Sequence, residues 1–234
     1  MTFGPASSRA ASETGGTTTF KGLIMKRRTL DLTFSVGGGL VAILLLVLGL
    51  VLNNQSNFAK TYVRDQLSEQ RISFTPVAGL SDEEKRADCL VENAGKPLTT
   101  GKQAECYANE YIGLHVTEIN GGKTYSESSG DARALQEQAD AATKSDPDAA
   151  ATTKLVTEAK IASGKVDALF KGETLRGLLL TTYGFTIFGE RAAQAALVCF
   201  LVAAVLALAT LAGLIHARRT PEGELVLPEV ATGA

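Results

Sequence analysis

Apolar residues along this chain are concentrated in two uninterrupted runs, "LTFSVGGGLVAILLLVLGLVL" (32–52) and "AAQAALVCFLVAAVLALATLAGLI" (192–215), neither of which contains a charge. A helix of about 20 residues crosses the hydrocarbon of a bilayer. The pattern therefore predicts membrane-spanning helices at 29–52 and 191–216. Buried core helices are the alternative, but two uncharged runs of this length favour the membrane. The first run is also longer than the apolar region of a usual signal peptide, and no small-residue cleavage motif follows it.

The stretch between these runs, 53–172, is polar and has helical periodicity, which predicts an all-α domain. "NNQSNFAKTYVRDQLSEQR" continues the first spanning helix, and "ISFTPVAG" interrupts the pattern with Pro76 and Gly79. Two capping boxes follow: Ser81 with Glu84 begins one helix, which Gly95 ends, and Thr100 with Gln103 begins another.

A helical hairpin is predicted after Gly121-Gly122. Small and apolar residues recur at spacings of three and four, which indicates a narrow seam between two packed helices. Asp146 is the expected cap of the second helix, and Pro147 suits its first turn. The seam residues are Ala132, Leu135, Ala139 and Ala142 on one helix and Leu155, Ala159, Ala162, Val166 and Leu169 on the other.

A Leu- and Phe-rich segment at 173–190 directly precedes the second membrane run, and its part between Gly177 and Gly189 contains no charge. It is too short to cross a bilayer. Three interpretations stay open: contact with the membrane–water boundary, where aromatic residues are favoured, packing beneath the domain's own helices, or a patch that binds a partner protein. Its apolar residues are Leu178, Leu179, Leu180, Tyr183, Phe185, Ile187 and Phe188.

The basic residues close to the membrane runs predict the orientation of the chain. Lys26, Arg27 and Arg28 precede the first run, and Arg218 and Arg219 follow the second. Because short cytoplasmic flanks are enriched in Lys and Arg, we expect both tails, 1–28 and 217–234, to be cytoplasmic and the central domain to be extracytoplasmic. The multi-pass protein would then lie in the plasma membrane.

Charge and composition refine this picture of the tails and the central domain. Residues 53–191 carry 16 Lys and Arg against 20 Asp and Glu, a net charge near −4, which gives no reason to expect nucleic acid. The first tail is rich in Ser, Thr, Gly and Ala, a composition typical of disorder. Met25 is an alternative start, since "MKRR" leads straight into the first membrane run.

Cys89 and Cys106 are 17 positions apart in the central domain. They lie at similar distances from the turn between two predicted antiparallel helices, and disulfides persist outside the cytoplasm. A structural disulfide is therefore the favoured interpretation, ahead of regulated thiols or a metal site. Zinc needs three or four ligands, and the domain has one histidine, His115, predicted on the opposite face of the helix from Cys106.

Small residues in both membrane runs predict close helix packing. Small faces let spanning helices approach one another. The two spans packing together is the simplest use, and a partner subunit is the alternative. The residues are Gly37, Gly38, Gly39 and Gly49 in the first run and Ala196, Cys199, Ala203 and Ala207 in the second.

The layout, with "TTGKQAECYANEYIGLHV" and "GETLRGLLLTTYGF", resembles uncharacterised two-pass envelope proteins of high-GC Gram-positive bacteria. The resemblance runs from about Arg28 to Arg219. It implies no activity.

The sequence contains no phosphate-binding loop, nucleophile elbow, zinc-protease motif or clustered His and Cys ligands. We therefore predict a non-catalytic protein with no cofactor and no metal. The expected function is that of an accessory or scaffold subunit of a cell-envelope complex. The alternative is an extracytoplasmic sensor that signals through a separate membrane partner. Expected partners are the bilayer and either another membrane protein or a second copy.

Overall fold

The computed structural model describes residues 26–223. About 84% of these residues are helical, and none of them lies in a strand. Six α-helices are named here in chain order, and a π-helical turn, Tyr107–Ile112, joins the third to the fourth. They are α1 (Arg27–Glu69), α2 (Asp88–Asn93), α3 (Gly101–Cys106), α4 (Gly113–Asn120), α5 (Tyr125–Ser145) and α6 (Ala150–Arg219).

Residues 44–202 form one compact unit, here called the head unit, which includes residues 44–69 of α1 and 150–202 of α6. Its core is built around α2, α3 and α4 and closes on Val63 and Leu67 of α1 and on Leu169 and Leu179 of α6. An isolated antiparallel bridge, Ser73 to Pro97, joins the loops on either side of α2. The head unit therefore shares its core with both long helices, and no linker separates it from them.

The remaining described residues, 26–43 and 203–223, form a second unit, here called the tail unit. Its two helical segments touch closely: a Cβ on Gly213 would lie 2.2 Å from Ser35 Oγ. At their ends, His216 Nε2 lies 3.7 Å from Asp31 Oδ2, and Arg28 forms an ion pair with Glu222.

Both α1 and α6 are long and apolar enough to cross a membrane. Only 17% of the most apolar 18-residue window of α1, and 6% of that of α6, is buried. A core helix of a soluble protein would have most of this surface covered. The exposure therefore argues against the core-helix alternative.

The two predicted capping boxes have different outcomes. Thr100 and Gln103 form both reciprocal bonds at the start of α3, as predicted. Ser81 and Glu84 also bond reciprocally, with Ser81 N donating to Glu84 Oε2 at 2.6 Å. Their bonds close a short 3₁₀ turn, Glu84–Arg86, and the α-helix begins only at Asp88, so the predicted start at Ser81 was wrong.

The hairpin of α5 and α6 confirms the predicted seam. All nine seam residues are buried or half-buried, with Ala139 and Leu169 fully buried. The start of the second helix was predicted too early, because α6 begins at Ala150. Asp146 instead ends α5, and its carbonyl accepts a bond from Thr152 Oγ1 at 2.7 Å.

α6 is one continuous helix of 70 residues. It contains the second helix of the hairpin, the whole of segment 173–190 and the second membrane run without a break. Likewise α1 continues past Leu52 to Glu69, as the sequence predicts. The predictions for residues 1–25 and 224–234, including the disordered tail and the alternative start at Met25, fall outside the described residues.

Candidate functional site

The predicted disulfide is present and ties α2 to α3. Cys89 and Cys106 are bonded, with their Cα atoms 6.1 Å apart. A second link runs alongside, because Gln103 Nε2 donates to Asn93 Oδ1 at 3.1 Å. Gln103 thus both caps α3 and joins it to α2, so the bridge belongs to a local clamp in the core of the head unit.

A row of aromatic rings runs along the helix that follows the disulfide. Phe74 meets Tyr107 edge-on at 5.3 Å between centroids, Tyr107 stacks on Tyr111 at 4.7 Å, and Tyr111 lies 4.5 Å from His115. The spacing of four residues places these three side chains on one helix face. Burial, followed by the neighbouring Tyr111 and Glu84, raises the pKa of Tyr107, so its hydroxyl stays protonated at neutral pH.

The row ends beside a buried carboxylate. Glu84 is 6% exposed, and its Oε1 lies 3.9 Å from His115 Nε2. The other ring nitrogen of His115 is 2.8 Å from the carbonyl oxygen of Tyr111. General acid–base catalysis needs a nucleophile or substrate position within hydrogen-bond reach of such a pair. Here both partners bond to the local backbone, an arrangement that stabilises the turn.

Within residues 26–223, no group of three or more His, Cys, Asp or Glu side chains could hold a metal ion. His115 Nε2 lies 3.9 Å from Glu84 Oε1, and Cys89 and Cys106 are bonded to each other. The remaining thiol, Cys199, is half-buried on α6. The geometry thus offers no metal centre in this part of the chain.

The apolar residues of segment 173–190 divide between two faces of α6. Leu179 is 4% exposed and belongs to the head-unit core, and Leu180 packs against it. Tyr183 and Ile187 are half-buried. On the outer face, Leu178, Phe185 and Phe188 are exposed by 62%, 54% and 77%. Packing beneath the head unit's own helices therefore holds for Leu179 and Leu180, and the other two interpretations remain for the exposed outer face.

The predicted small residues of the membrane runs also divide. In the tail unit, a Cβ on Gly38 would lie 3.2 Å from Thr210 Oγ1, and Ala203 is buried. In the head unit, Ala196 is buried and Gly49 lies against Phe200, whose ring would be 2.7 Å from an added Cβ.

Gly39 lies beside Thr210 and Cys199 is half-buried, whereas Gly37 and Ala207 are exposed. The observed packing of the two helices does not include these last two residues, and their predicted role in packing stays a prediction. A strict seven-residue repeat marks the covered positions on each helix and could have been found in the sequence. The repeat is Ser35, Ala42, Gly49, Ser56 and Val63 on α1 and Gly189, Ala196, Ala203, Thr210 and Ala217 on α6.

The charged ends of the two apolar runs lie at one level of the head unit. A Cβ on Gly189 would be 2.9 Å from the Cβ of Ala59, so these residues are in direct contact. Lys60 directly follows Ala59, and Glu190 and Arg191 directly follow Gly189. The first charge after the apolar run of α1 is thus beside the last charges before that of α6.

An open cleft of about 420 Å³ lies where α4 meets the hairpin. Its lining is mostly polar, with Lys123, Asp131, Glu158 and Lys165 among the residues. Asn120 also lines it, and its buried Nδ2 has no hydrogen-bond partner in the described part of the chain.

Comparison of the chain with protein-family models, curated proteins and solved structures gives no match.

Proposed function

We propose that this protein is a non-catalytic, two-span membrane subunit that holds its head unit as a rigid scaffold for an envelope complex. One observation carries the proposal: α1 and α6 run from their apolar stretches into the head-unit core without a linker. Each helix is therefore continuous between its apolar stretch and the core residues that it contributes.

The lengths of the charge-free stretches support membrane insertion. On α1 the 28 residues from Leu32 to Ala59 are uncharged, and on α6 the 24 residues from Ala192 to Ile215. At 1.5 Å per residue these correspond to about 42 and 36 Å. A bilayer with its headgroups is about 40–45 Å thick. The head unit would be extracytoplasmic, because the basic flanks at 26–28 and 218–219 favour the cytoplasm.

The outer face of α6 offers two kinds of contact. Phe188 and Phe185 lie about 6 and 10 Å along the helix from Ala192 and are exposed, so they are the aromatic residues of the outer face nearest to the headgroup layer. Leu178, also exposed, lies about 21 Å from Ala192, beyond that layer. Leu175 is one turn further and 39% exposed. We assign these two leucines to a protein partner and the phenylalanines to lipid.

Site-specific crosslinking in the native membrane tests the scaffold proposal. A photo-crosslinking residue at Leu178 should capture one protein at fixed stoichiometry, either another membrane protein or a second copy. The same residue at Lys144, exposed on α5, is the control for random collision. Equal, diffuse labelling from both positions would contradict the proposal.

A sensor is the second candidate, and the cleft beside Asn120 favours it. A small polar ligand bound there would contact α4, α5 and α6 together. Thermal unfolding of the full chain in detergent, scanned against small polar solutes, tests this function. A ligand that raises the melting temperature of the wild-type chain, but not of Asn120→Ala, would support sensing. Equal shifts in both chains would place the ligand elsewhere.

A further inference from the structure

A second cleft, of about 490 Å³, lies in the head unit at the level where the apolar runs end. Three basic residues line it: Lys60 and Arg64, one turn apart on α1, and Lys102 in the first turn of α3. Glu190 on α6 is the acidic residue in the lining. The lining residues alone have a formal net charge of +2, and two carboxylates just outside the lining pair with its cations, Asp65 with Arg64 at 3.0 Å and Glu105 with Lys102 at 3.3 Å.

Direct packing between α3 and α6 fixes the position of these cations. Gly101 is buried against Thr186, and an added Cβ would lie 2.0 Å from the Thr186 hydroxyl oxygen. Only a glycine allows this approach. The next residue, Lys102, donates to the Tyr183 hydroxyl at 3.2 Å, and its ammonium lies 4.9 Å from the centre of that ring.

The three cations keep bonding capacity for a further anion. Lys60 makes no hydrogen bond or ion pair within the described part of the chain. Arg64 uses Nε and Nη2 on Asp65 Oδ1, both at 3.0 Å, which leaves its other Nη group. The Tyr183 hydrogen bond and the nearby Glu105 raise the pKa of Lys102, so this ammonium is charged at any physiological pH.

The surroundings of the cleft decide which anion it fits. Lys60 is the residue at which the charge-free run of α1 ends, and it therefore lies at the headgroup level of a bilayer. A lipid phosphate at this level matches the charge of the three basic residues in the lining.

We propose that this cleft binds the phosphodiester headgroup of an anionic phospholipid in the leaflet that faces the head unit. Lys60, Arg64 and Lys102 contact the phosphate, and the acyl chains extend from it toward the apolar run of α1. The inference rests on the proposed membrane insertion. It adds a specific lipid ligand to the general contact with the bilayer.

The test uses the full chain and two matched triple variants. Lys60→Gln, Arg64→Gln and Lys102→Gln together remove the cleft cations. Arg133→Gln, Lys144→Gln and Lys160→Gln remove the same charges from exposed hairpin positions without ion pairs. Native mass spectrometry in detergent measures phosphatidylglycerol binding, with phosphatidylcholine as the neutral lipid. We expect the cleft triple to weaken phosphatidylglycerol binding about a hundredfold, roughly fivefold per cation, and the hairpin triple to change nothing.

Lys60→Gln alone, in which an exposed and unpaired side chain changes, should weaken binding about fivefold and guards against misfolding of the triple variant. Equal binding of the two lipids by wild type, or equal loss in both triples, would overturn the inference. Displacement of the lipid by millimolar inorganic phosphate would show a free-anion site and also overturn it. Flotation with neutral phosphatidylcholine vesicles separates the two proposals: a chain that does not float refutes membrane insertion itself.

Discussion

At the scale of single residues, the face of α6 on which a residue lies decides whether it is in the core or exposed. Leu179 and Phe185 lie in the same uncharged segment and are equally apolar, yet one is 4% and the other 54% exposed. Sequence alone treats them alike, because their burial depends on where α2 to α4 pack against α6. The structure therefore predicts opposite consequences for the same substitution at the two positions.

Leu179→Asp should lower the free energy of unfolding of the full chain in detergent by about 3–5 kcal/mol, because it buries an unpaired charge in the core. Phe185→Asp should change it by less than about 1 kcal/mol, since its side chain is exposed. Chemical denaturation followed by circular dichroism measures both. Similar losses in the two variants would contradict the division of the segment into two faces.

Gly101 and Gly177 form a second matched pair. Gly101→Ala should destabilise the chain by about 1–3 kcal/mol, because its Cβ would overlap Thr186. Gly177→Ala should be neutral or stabilise by up to about 1 kcal/mol, since nothing lies within 4 Å and alanine favours the helix. The same denaturation measurement applies. Thr186→Gly should partly rescue Gly101→Ala if the overlap is the cause.

At the scale of elements, the sequence predicts which elements form better than it predicts the residue at which each one begins. The two apolar runs, the Thr100–Gln103 capping box and the hairpin seam could all be read from the sequence, because each depends on residues within a few turns. The Ser81–Glu84 pair has the same signature, yet its helix does not begin there, because a 3₁₀ turn and a break at Ala87 intervene. A cap provides hydrogen bonds but does not determine which helix follows.

The disulfide should stabilise the packing of α2 on α3. Cys89→Ser with Cys106→Ser should lower the free energy of unfolding by about 3 kcal/mol, as expected for a loop of this length. Thermal unfolding of the full chain with and without reductant provides the measurement. Cys199→Ser is the control and should respond to reductant as wild type does. An unchanged melting temperature in the double variant would show that the clamp is held by Gln103 and Asn93 alone.

The capping box of α5 should make the first turn of this helix sensitive to acid. Bonds from the backbone N–H and then the hydroxyl of Thr124 lower the pKa of Glu127 below its ordinary value of 4.5. Its stabilising contribution is therefore complete above the unfolded-state pKa and is lost as pH falls through the lower folded-state pKa.

Hydrogen exchange at the first turn of α5 should accordingly quicken below about pH 4.5, beyond the intrinsic pH dependence of exchange. Glu127→Ala should show that faster exchange already at pH 7. Glu137→Ala, an exposed position on the same helix, is the control. Identical exchange in Glu127→Ala and wild type at pH 7 would refute the role of the cap.

At the scale of the whole molecule, the continuity of α6 was the main feature that the sequence did not predict. Three glycines and a change of composition between 173 and 190 indicated a separate segment. Each glycine costs a helix about 1 kcal/mol, but contact with Ala59 requires a glycine at 189. Such contacts join residues over a hundred positions apart and are invisible to local pattern.

The proposed topology predicts which sites a reagent outside the cell can reach. In a Cys199→Ser background, Lys144→Cys should react with a membrane-impermeant maleimide on intact cells. Gly223→Cys should react only after the membrane is opened. Both positions are exposed, so accessibility within the fold does not bias the comparison. Labelling of Gly223→Cys alone on intact cells would invert the topology.

The unbroken α6 also sets the distance between the hairpin tip and the second membrane run. From Ala150 to Arg191 the helix contains 42 residues, about 63 Å of rise. In a bilayer, the hairpin tip would therefore lie at a fixed distance from the membrane, whereas a flexible tether would let this distance vary. A rigid spacer keeps its tip within a narrow range of distances from the membrane. The effective concentration of the tip is therefore higher for partners whose binding sites lie at that distance. Partners that are too short to reach that distance would not meet the tip at all.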